Sequence, residues 1–213
     1  MILGLMGKKV GMTMVFDAEG LSVPVTVVKI GDNIITQKMT KEKHGYQAIQ
    51  VGGFVVKERK LNKPEMGVSK KNSLPPLKPI KEFRVDDSST YNVGDTLKVD
   101  NLFQEGMLVD IRGKSIGKGF AGTVKRYHAG RGPMSHGSKF HRSMGSIGPG
   151  TTPGRVFRGL PMPGHMGHAN VTVRHLKVVK IDAEKGLILV NGSVPGADDT
   201  LVTIHASKTK WNS

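Results

Sequence analysis

The sequence predicts a mainly β protein, a barrel or sandwich of short strands interrupted by one long, basic, glycine-rich extension. Three observations carry that expectation. Runs rich in Val, Ile and Thr recur through the first hundred or so residues, separated by turn chemistry at a spacing expected of barrels and sandwiches. Comparable runs return after Asn170. Between Asp110 and Asp182 there is not one carboxylate, while thirteen Lys and Arg side chains fall in the same stretch.

Met12–Phe16, Val23–Ile30, Ile34–Met39 and Tyr46–Val51 read as strands, parted by turns at Asp17-Ala18-Glu19-Gly20 and Gly31-Asp32-Asn33. Val23, Val25 and Val27 alternate with Pro24 and Thr26. Proline has no N–H to donate, so this strand is expected at an edge, or Pro24 at its first pairing position. Residues 57–81 are rich in Lys and Pro, and Pro75-Pro76 with Pro79 forbid a long helix. A turn or two around Pro64–Lys71 is all that fits. Short strands resume at Ile80–Val85, Thr96–Val99 and Met107–Ile111.

Residues 111–168 hold fourteen of the 28 glycines and prolines at 133, 149, 153, 161 and 163. Neither helical nor strand periodicity persists between Gly130 and Met166. So long a stretch without structure does not belong inside a compact domain. It is expected to project outward and to become ordered on a partner. After Asn170, Val171 and Val173 alternate with Thr172 and Arg174, and the phase slips near His175, as a bulge requires. Leu187–Val190 and Leu201–Ile204 are the last strands, joined through Pro195-Gly196-Ala197-Asp198-Asp199. The expected division is residues 1–110 with 170–213 as a globular β-barrel domain and 111–169 as the extension.

Charge follows the same division. Residues 111–181 carry +13 of the net +15, and everything else carries +2. A solvated face mixes both signs; a stretch without any acid is built to meet a polyanion, either nucleic acid or an anionic membrane surface. The absence of cysteine excludes disulfides and thiolate metal sites and suits a reducing compartment. At the start, Met1-Ile2-Leu3-Gly4-Leu5-Met6-Gly7-Lys8-Lys9 places charge after a short apolar run, the reverse of a signal peptide. No apolar run approaches the roughly 18 residues of a membrane helix. The chain is expected to stay inside the cell, off the membrane.

Gly117-Lys118-Gly119-Phe120-Ala121-Gly122 fits the glycine patterns of dinucleotide sites and of kinase phosphate loops. The first needs an acid about twenty residues on to hold a ribose hydroxyl, and the next acid is Asp182. The second needs catalytic and metal-binding aspartates that do not follow. What remains is a backbone that phosphate can approach closely, with Lys114, Lys118, Lys125 and Arg126 supplying charge. Six of eight histidines lie between 128 and 175. Without Cys or carboxylates they would form an all-imidazole metal sphere, so contact with phosphate or 2′-hydroxyl is the better use, and no metal or cofactor is expected. Ser135 and Ser138 flank His136, yet no acid is at hand to orient the imidazole for catalysis. Phe120, Tyr127, Phe140 and Phe157 are too sparse for a stacking platform and serve either as single wedges or as packing. The candidate RNA-binding residues are Lys114, Lys118, Lys125, Arg126, Arg131, His136, Lys139, His141, Arg142, Arg155, Arg158 and His165.

Several long motifs in order resemble one family from end to end. They are Gly7-Lys8-Lys9-Val10-Gly11-Met12-Thr13, then Gly117-Lys118-Gly119-Phe120-Ala121-Gly122-Thr123-Val124-Lys125-Arg126, then His136-Gly137-Ser138 with His141-Arg142. Gly145-Ser146-Ile147-Gly148, Thr152-Pro153-Gly154-Arg155-Val156-Phe157, Gly164-His165-Met166-Gly167 and Asn191-Gly192-Ser193-Val194-Pro195-Gly196 complete the set. The chain resembles ribosomal protein three of the large subunit, in its bacterial or organellar form.

That resemblance implies a translation-protein-type β-barrel held by both ends of the chain. It implies binding to large-subunit ribosomal RNA, an early role in subunit assembly, and ribosomal proteins fourteen and nineteen of the large subunit as neighbours. It also implies an extension threading toward the peptidyl transferase centre, with Gly148, Pro149, Gly150, Thr151, Thr152, Pro153 and Gly154 at its tip. Many bacterial relatives carry a sometimes methylated glutamine where this chain has Thr151, so that modification is not available here. The Pro-Gly-Thr form and Met162-Pro163-Gly164-His165-Met166-Gly167 resemble some organellar members. The expected location is therefore a bacterial cytoplasmic ribosome or a plastid or mitochondrial one. The expected role is structural, with no catalytic residues and no small-molecule substrate. A free-standing basic RNA or DNA chaperone and a nucleotide-dependent enzyme using Gly117–Gly122 are the alternatives.

Overall fold

The computed structural model describes residues 4–207. In chain order its elements are β1 (Gly4–Phe16), β2 (Ser22–Ile30), β3 (Ile34–Met39), α1 (Lys41–His44), β4 (Ala48–Val55), a 3-10 turn at Glu58–Lys60, α2 (Lys63–Lys71) and β5 (Leu77–Arg84). They continue with β6 (Leu108–Lys114), β7 (Gly119–Ala121), α3 (Thr123–Tyr127), β8 (Gly164–Met166), β9 (Asn170–Asp182), β10 (Leu187–Asn191) and β11 (Leu201–Ala206). β1, β11, β6, β9, β10 and β2 pair in that order and close into an antiparallel barrel. Both ends of the described chain supply barrel strands. The mainly β expectation holds, although the early strands divide between two sheets, because β3, β4 and β5 form a separate antiparallel sheet. Among the described residues no helix is long and apolar enough to cross a membrane.

Side-chain alternation builds two cores. Leu5, Val28, Ile111, Val178, Ile188, Val190, Val202 and Ile204 are fully buried in one cluster inside the barrel. Successive residues of a strand face opposite ways, so Met6 leaves Leu5 and enters the second cluster with Ile35, Ile49, Val51, Phe83 and Val85. Asn33 fixes the join. It is fully buried with φ 45, a left-handed conformation that Asn tolerates better than most residues. Its Oδ1 accepts from the Met6 N–H at 2.9 Å, and its Nδ2 donates to the Met6 carbonyl at 3.0 Å and the Gly31 carbonyl at 2.9 Å.

Two local expectations have clear structural counterparts. The β10 ladder along β2 ends at Val25, so Pro24 lies one residue outside it and no donor is lost there. Along β6 and β9 the register slips between Val109 and Ile111, where His175 takes φ 58 and its N–H donates to Asp110 Oδ1 at 3.0 Å. The turn or two read around Pro64–Lys71 is α2, which begins one residue earlier at Lys63, with Asn62 and Glu65 completing a capping box. Thr96–Val99 differs: it makes a single bridge, Ile34 to Thr96, rather than a strand. The surrounding residues close on themselves instead, Ser89 N–H donating to Asp87 and Asn92 N–H to Asp95, the local side-chain competition that Asp brings to a ladder.

By compactness the chain divides into two units. One comprises the residues up to Lys114 together with those from Asn170 onward, and the other is Ser115–Ala169. The barrel and the second sheet both belong to the first.

Candidate nucleic-acid interface

Ser115–Ala169 is built from backbone hydrogen bonds rather than from a core. Its two arms meet where Ser115 N–H donates to the Ala169 carbonyl and His168 N–H to the Ser115 carbonyl. β7 and β8 continue the pairing at Gly119–Met166, Phe120–His165 and Ala121–Gly164. α3 follows in one arm and ends on His128 in the left-handed region at φ 57. Arg126 then crosses the gap, its Nη1 donating to the Met162 carbonyl at 2.7 Å. A Cβ on Gly164 would lie 2.7 Å from that Nη1, so glycine is what lets the strut through. Farther out, Gly132 N–H donates to the His141 carbonyl, and His141 Nδ1 lies 2.9 Å from the Pro133 carbonyl. From Ala129 to Pro163 there is neither helix nor strand.

Only Ala121 and Thr123 are buried in this unit. Lys118, Lys125, Arg131, His136, Lys139, Arg142, Arg155, Arg158 and His165 are exposed. Arg126 and His141 are half-buried and already hold the backbone bonds just described. Every residue from Gly148 to Gly154 is exposed, and the stretch is shaped by a turn in which Gly154 N–H donates to the Gly150 carbonyl. No carboxylate lies between residues 111 and 181, so none of these cations has an ion-pair partner within the unit. Two guanidiniums instead sit over rings, Arg126 over Tyr127 at 5.1 Å and Arg155 over Phe157 at 5.4 Å. Phe120, Met134 and Phe157 are each more than half exposed. Such a surface has unneutralised charge, open glycine amides and apolar wedges without a core to enter. Its chemistry suits a polyanion that supplies both counter-charge and packing.

The other unit carries a cationic concavity that sequence reasoning missed in part. Lys81 of β5, Arg112 and Lys114 of β6, and Asn170 of β9 line it, and of these only Lys114 was a candidate. Burial, and then the neighbouring Arg112 and Lys114 charges, push the Lys81 ammonium below its ordinary pKa. An anion seated there would relieve all three charges. The signal was available: along Leu77–Arg84 the buried positions are Leu77 and Phe83, and Lys81 shares their parity.

A closed β-barrel and a coreless, acid-free cationic unit in one chain have the chemistry of a structural protein suited to a polyanionic partner. Residues 84–213 match the family model described as Ribosomal protein L3. The chain is 50% identical over 208 residues to the large ribosomal subunit protein uL3 of Trichormus variabilis, covering 98% of each. It is 52% identical over 209 residues to that of Crocosphaera subtropica and 50% over 208 residues to that of Thermosynechococcus vestitus, again covering 98% of each. The chain belongs to the ribosomal protein L3 family.

Proposed function

We propose that the chain is a structural component of the large ribosomal subunit that binds large-subunit ribosomal RNA through Ser115–Ala169. The observation that carries this is the exposed, acid-free cationic surface of a unit with almost nothing buried. Inside RNA, phosphates supply the missing counter-charge and make the same cations stabilising rather than self-repelling. Lys118, Lys125, Arg131, Lys139, Arg142, Arg155 and Arg158 anchor the backbone. Gly148–Gly154 carries no charge, so its contribution is shape, with Thr151 and Thr152 hydroxyls available to phosphate or ribose. As in the family it resembles, the chain would join the subunit early, send this tip toward the peptidyl transferase centre, and neighbour ribosomal proteins fourteen and nineteen. The cyanobacterial relatives favour a ribosome of bacterial type, in a bacterium or a plastid.

High-salt sedimentation of purified subunits tests the reading. A stoichiometric constituent stays with the particle, a free-standing chaperone washes off, and a nucleotide-dependent enzyme never sediments. If about eight cations meet phosphates, binding of the free chain to its RNA should show a log-log salt slope near −6 to −7. Changing Thr151→Asp should leave particle occupancy, read by mass spectrometry, largely intact while altering peptidyl transfer. Lost occupancy with normal transfer per assembled particle would make the tip an anchor instead.

A further inference from the structure

The β1–β2 ribbon carries an exposed apolar surface without a cation from Val10 to Leu21. The β11 ladder along β1 stops at Lys8, while pairing with β2 runs on to Phe16–Ser22. Beyond Lys9, whose carbonyl accepts from Asp199 N–H, one edge of β1 has no partner strand among the described residues. Met12, Met14 and Phe16 occupy alternate positions on one face and are 53%, 67% and 68% exposed. Leu21, 60% exposed, lies where the chain turns back. Natural edges of this kind are usually blunted by lysine, proline or covering structure. Here the edge reads Val10-Gly11-Met12-Thr13-Met14-Val15-Phe16, with none of these.

Charge identifies what covers it. From Val10 to Val28 there is no Lys, Arg or His, and the only charged residues are Asp17 and Glu19 at the turn. The nearest base on the open-edge side, Lys9, spends its ammonium on the Val194 and Gly196 carbonyls at 3.2 and 3.0 Å. Asp198 and Asp199 lie on the turn that meets β1 at Lys9. A polyanion is repelled by the two carboxylates of such a ribbon and finds no cationic side chain on it. A second copy would bring two acidic tips together and add another +15 chain. A cationic protein with an apolar patch meets neither obstacle, and proteins that share one RNA partner carry the same positive sign as this chain does.

We propose that the ribbon from Val10 to Leu21 is a docking surface for a basic protein of the same particle. That partner lays apolar side chains on Met12, Met14 and Phe16 and places Lys or Arg beside Asp17 and Glu19. The proposal rests on the reading that this chain works inside an RNA–protein particle. Asp17 Oδ1 already accepts from the Glu19 and Leu21 N–H groups at 3.0 and 2.9 Å, so Glu19 is the charge to alter without disturbing the turn.

The test uses the full chain with p-benzoyl-phenylalanine in place of Phe16, assembled into large subunits and irradiated. The expected product is one dominant crosslink that resists ribonuclease, is lost with protease, and joins a protein of strongly basic composition. Adding Glu19→Lys should reduce its yield by roughly threefold or more, and Met12→Ser with Met14→Ser should reduce it further while the thermal transition of the free chain is unchanged. A crosslink to RNA, to a second copy or to an acidic protein overturns the proposal, as does no crosslink in particles that contain the chain. A chain absent from the particles overturns both this proposal and the function on which it rests, which separates the two failures.

Discussion

Asn33 does the work of a missing strand neighbour. β1 must offer Met6 to the second core, and at that point its N–H donates to the Asn33 side chain instead of another backbone, while its carbonyl accepts from both the Asn33 amide and the Gly31 N–H. The bonds are buried, so removing the amide leaves the Met6 N–H without its partner and the Met6 carbonyl with the Gly31 N–H alone. Asn33→Ala also forces a Cβ-bearing residue without a local hydrogen bond into the left-handed region. It should destabilise the protein by about 2–4 kcal/mol, read as a thermal midpoint lowered by roughly 5–15 °C at this size. Lys81 is the opposite case, a cation that the folded protein disfavours and that an anion would relieve. Its folded pKa is lowered, so the folded protein disfavours the ammonium. Proton linkage then makes stability lower below the folded pKa, with relief as pH rises past it toward the ordinary lysine value. Lys81→Met should therefore raise the midpoint at neutral pH and flatten the rise of stability toward alkaline pH. The same change should weaken RNA binding and cut the salt slope by about one unit. A lower midpoint together with unchanged binding would remove Lys81 from the interface.

At the scale of elements, Lys125 and Arg126 are adjacent in α3 yet do different jobs. Lys125 is exposed, whereas Arg126 ties α3 to the Met162 carbonyl across the two arms. Lys125→Gln should lower the RNA salt slope by about one unit and leave the free chain otherwise unchanged. Arg126→Gln should in addition untie the arms, visible as faster proteolysis between residues 129 and 163. Equal proteolysis in the two variants would mean the strut carries nothing. The sequence disclosed the elements that have one buried face. β2 was legible because Val alternates with Pro and Thr along Val23–Val27, and β3, β10 and β11 because short runs rich in Ile, Leu and Val stand beside turn residues. β1 was seen only from Met12, because Gly4, Gly7 and Gly11 break the pattern. Gly7 is required there, since a Cβ would lie 2.7 Å from Val28 Cγ1 and 2.9 Å from the Lys29 carbonyl. α1, β7, α3 and β8 span three to five residues each, too short for any period, and β7 and β8 are set by pairing with each other across distant stretches of the chain. The cationic residues of the candidate site were legible from the missing acids alone. Lys81 was not, because it lies on β5, which only the fold brings beside β6; Arg112 stands in the acid-free stretch but was not singled out there.

At the scale of the molecule, the two units answer to different energetics. Ser115–Ala169 carries +8 with no acid, leaving +7 for the remainder. Repulsion among those eight charges opposes compaction in the free chain, and with two buried residues there is little apolar burial to offset it. The barrel should therefore owe nothing to the extension for its stability. The register makes a clean excision possible. Lys114 and Asn170 are direct antiparallel partners, the last rung of the β6–β9 ladder. Antiparallel partners are commonly joined by a loop of about two to five residues, so Asn-Gly or a short glycine-serine turn can replace residues 115–169. The shortened chain should keep β-type circular dichroism and one cooperative melting transition, at a midpoint equal to or above that of the full chain in low salt. Its RNA affinity should fall steeply, with a salt slope reduced to the few units that Lys81, Arg112, Lys114 and their neighbours supply. Adding salt should then raise the midpoint of the full chain more than that of the shortened one, because screening relieves repulsion only where the extension is present. A broad, non-cooperative melt after excision would show that β6 and β9 need the extension to find their register, and the independence of the barrel would be lost.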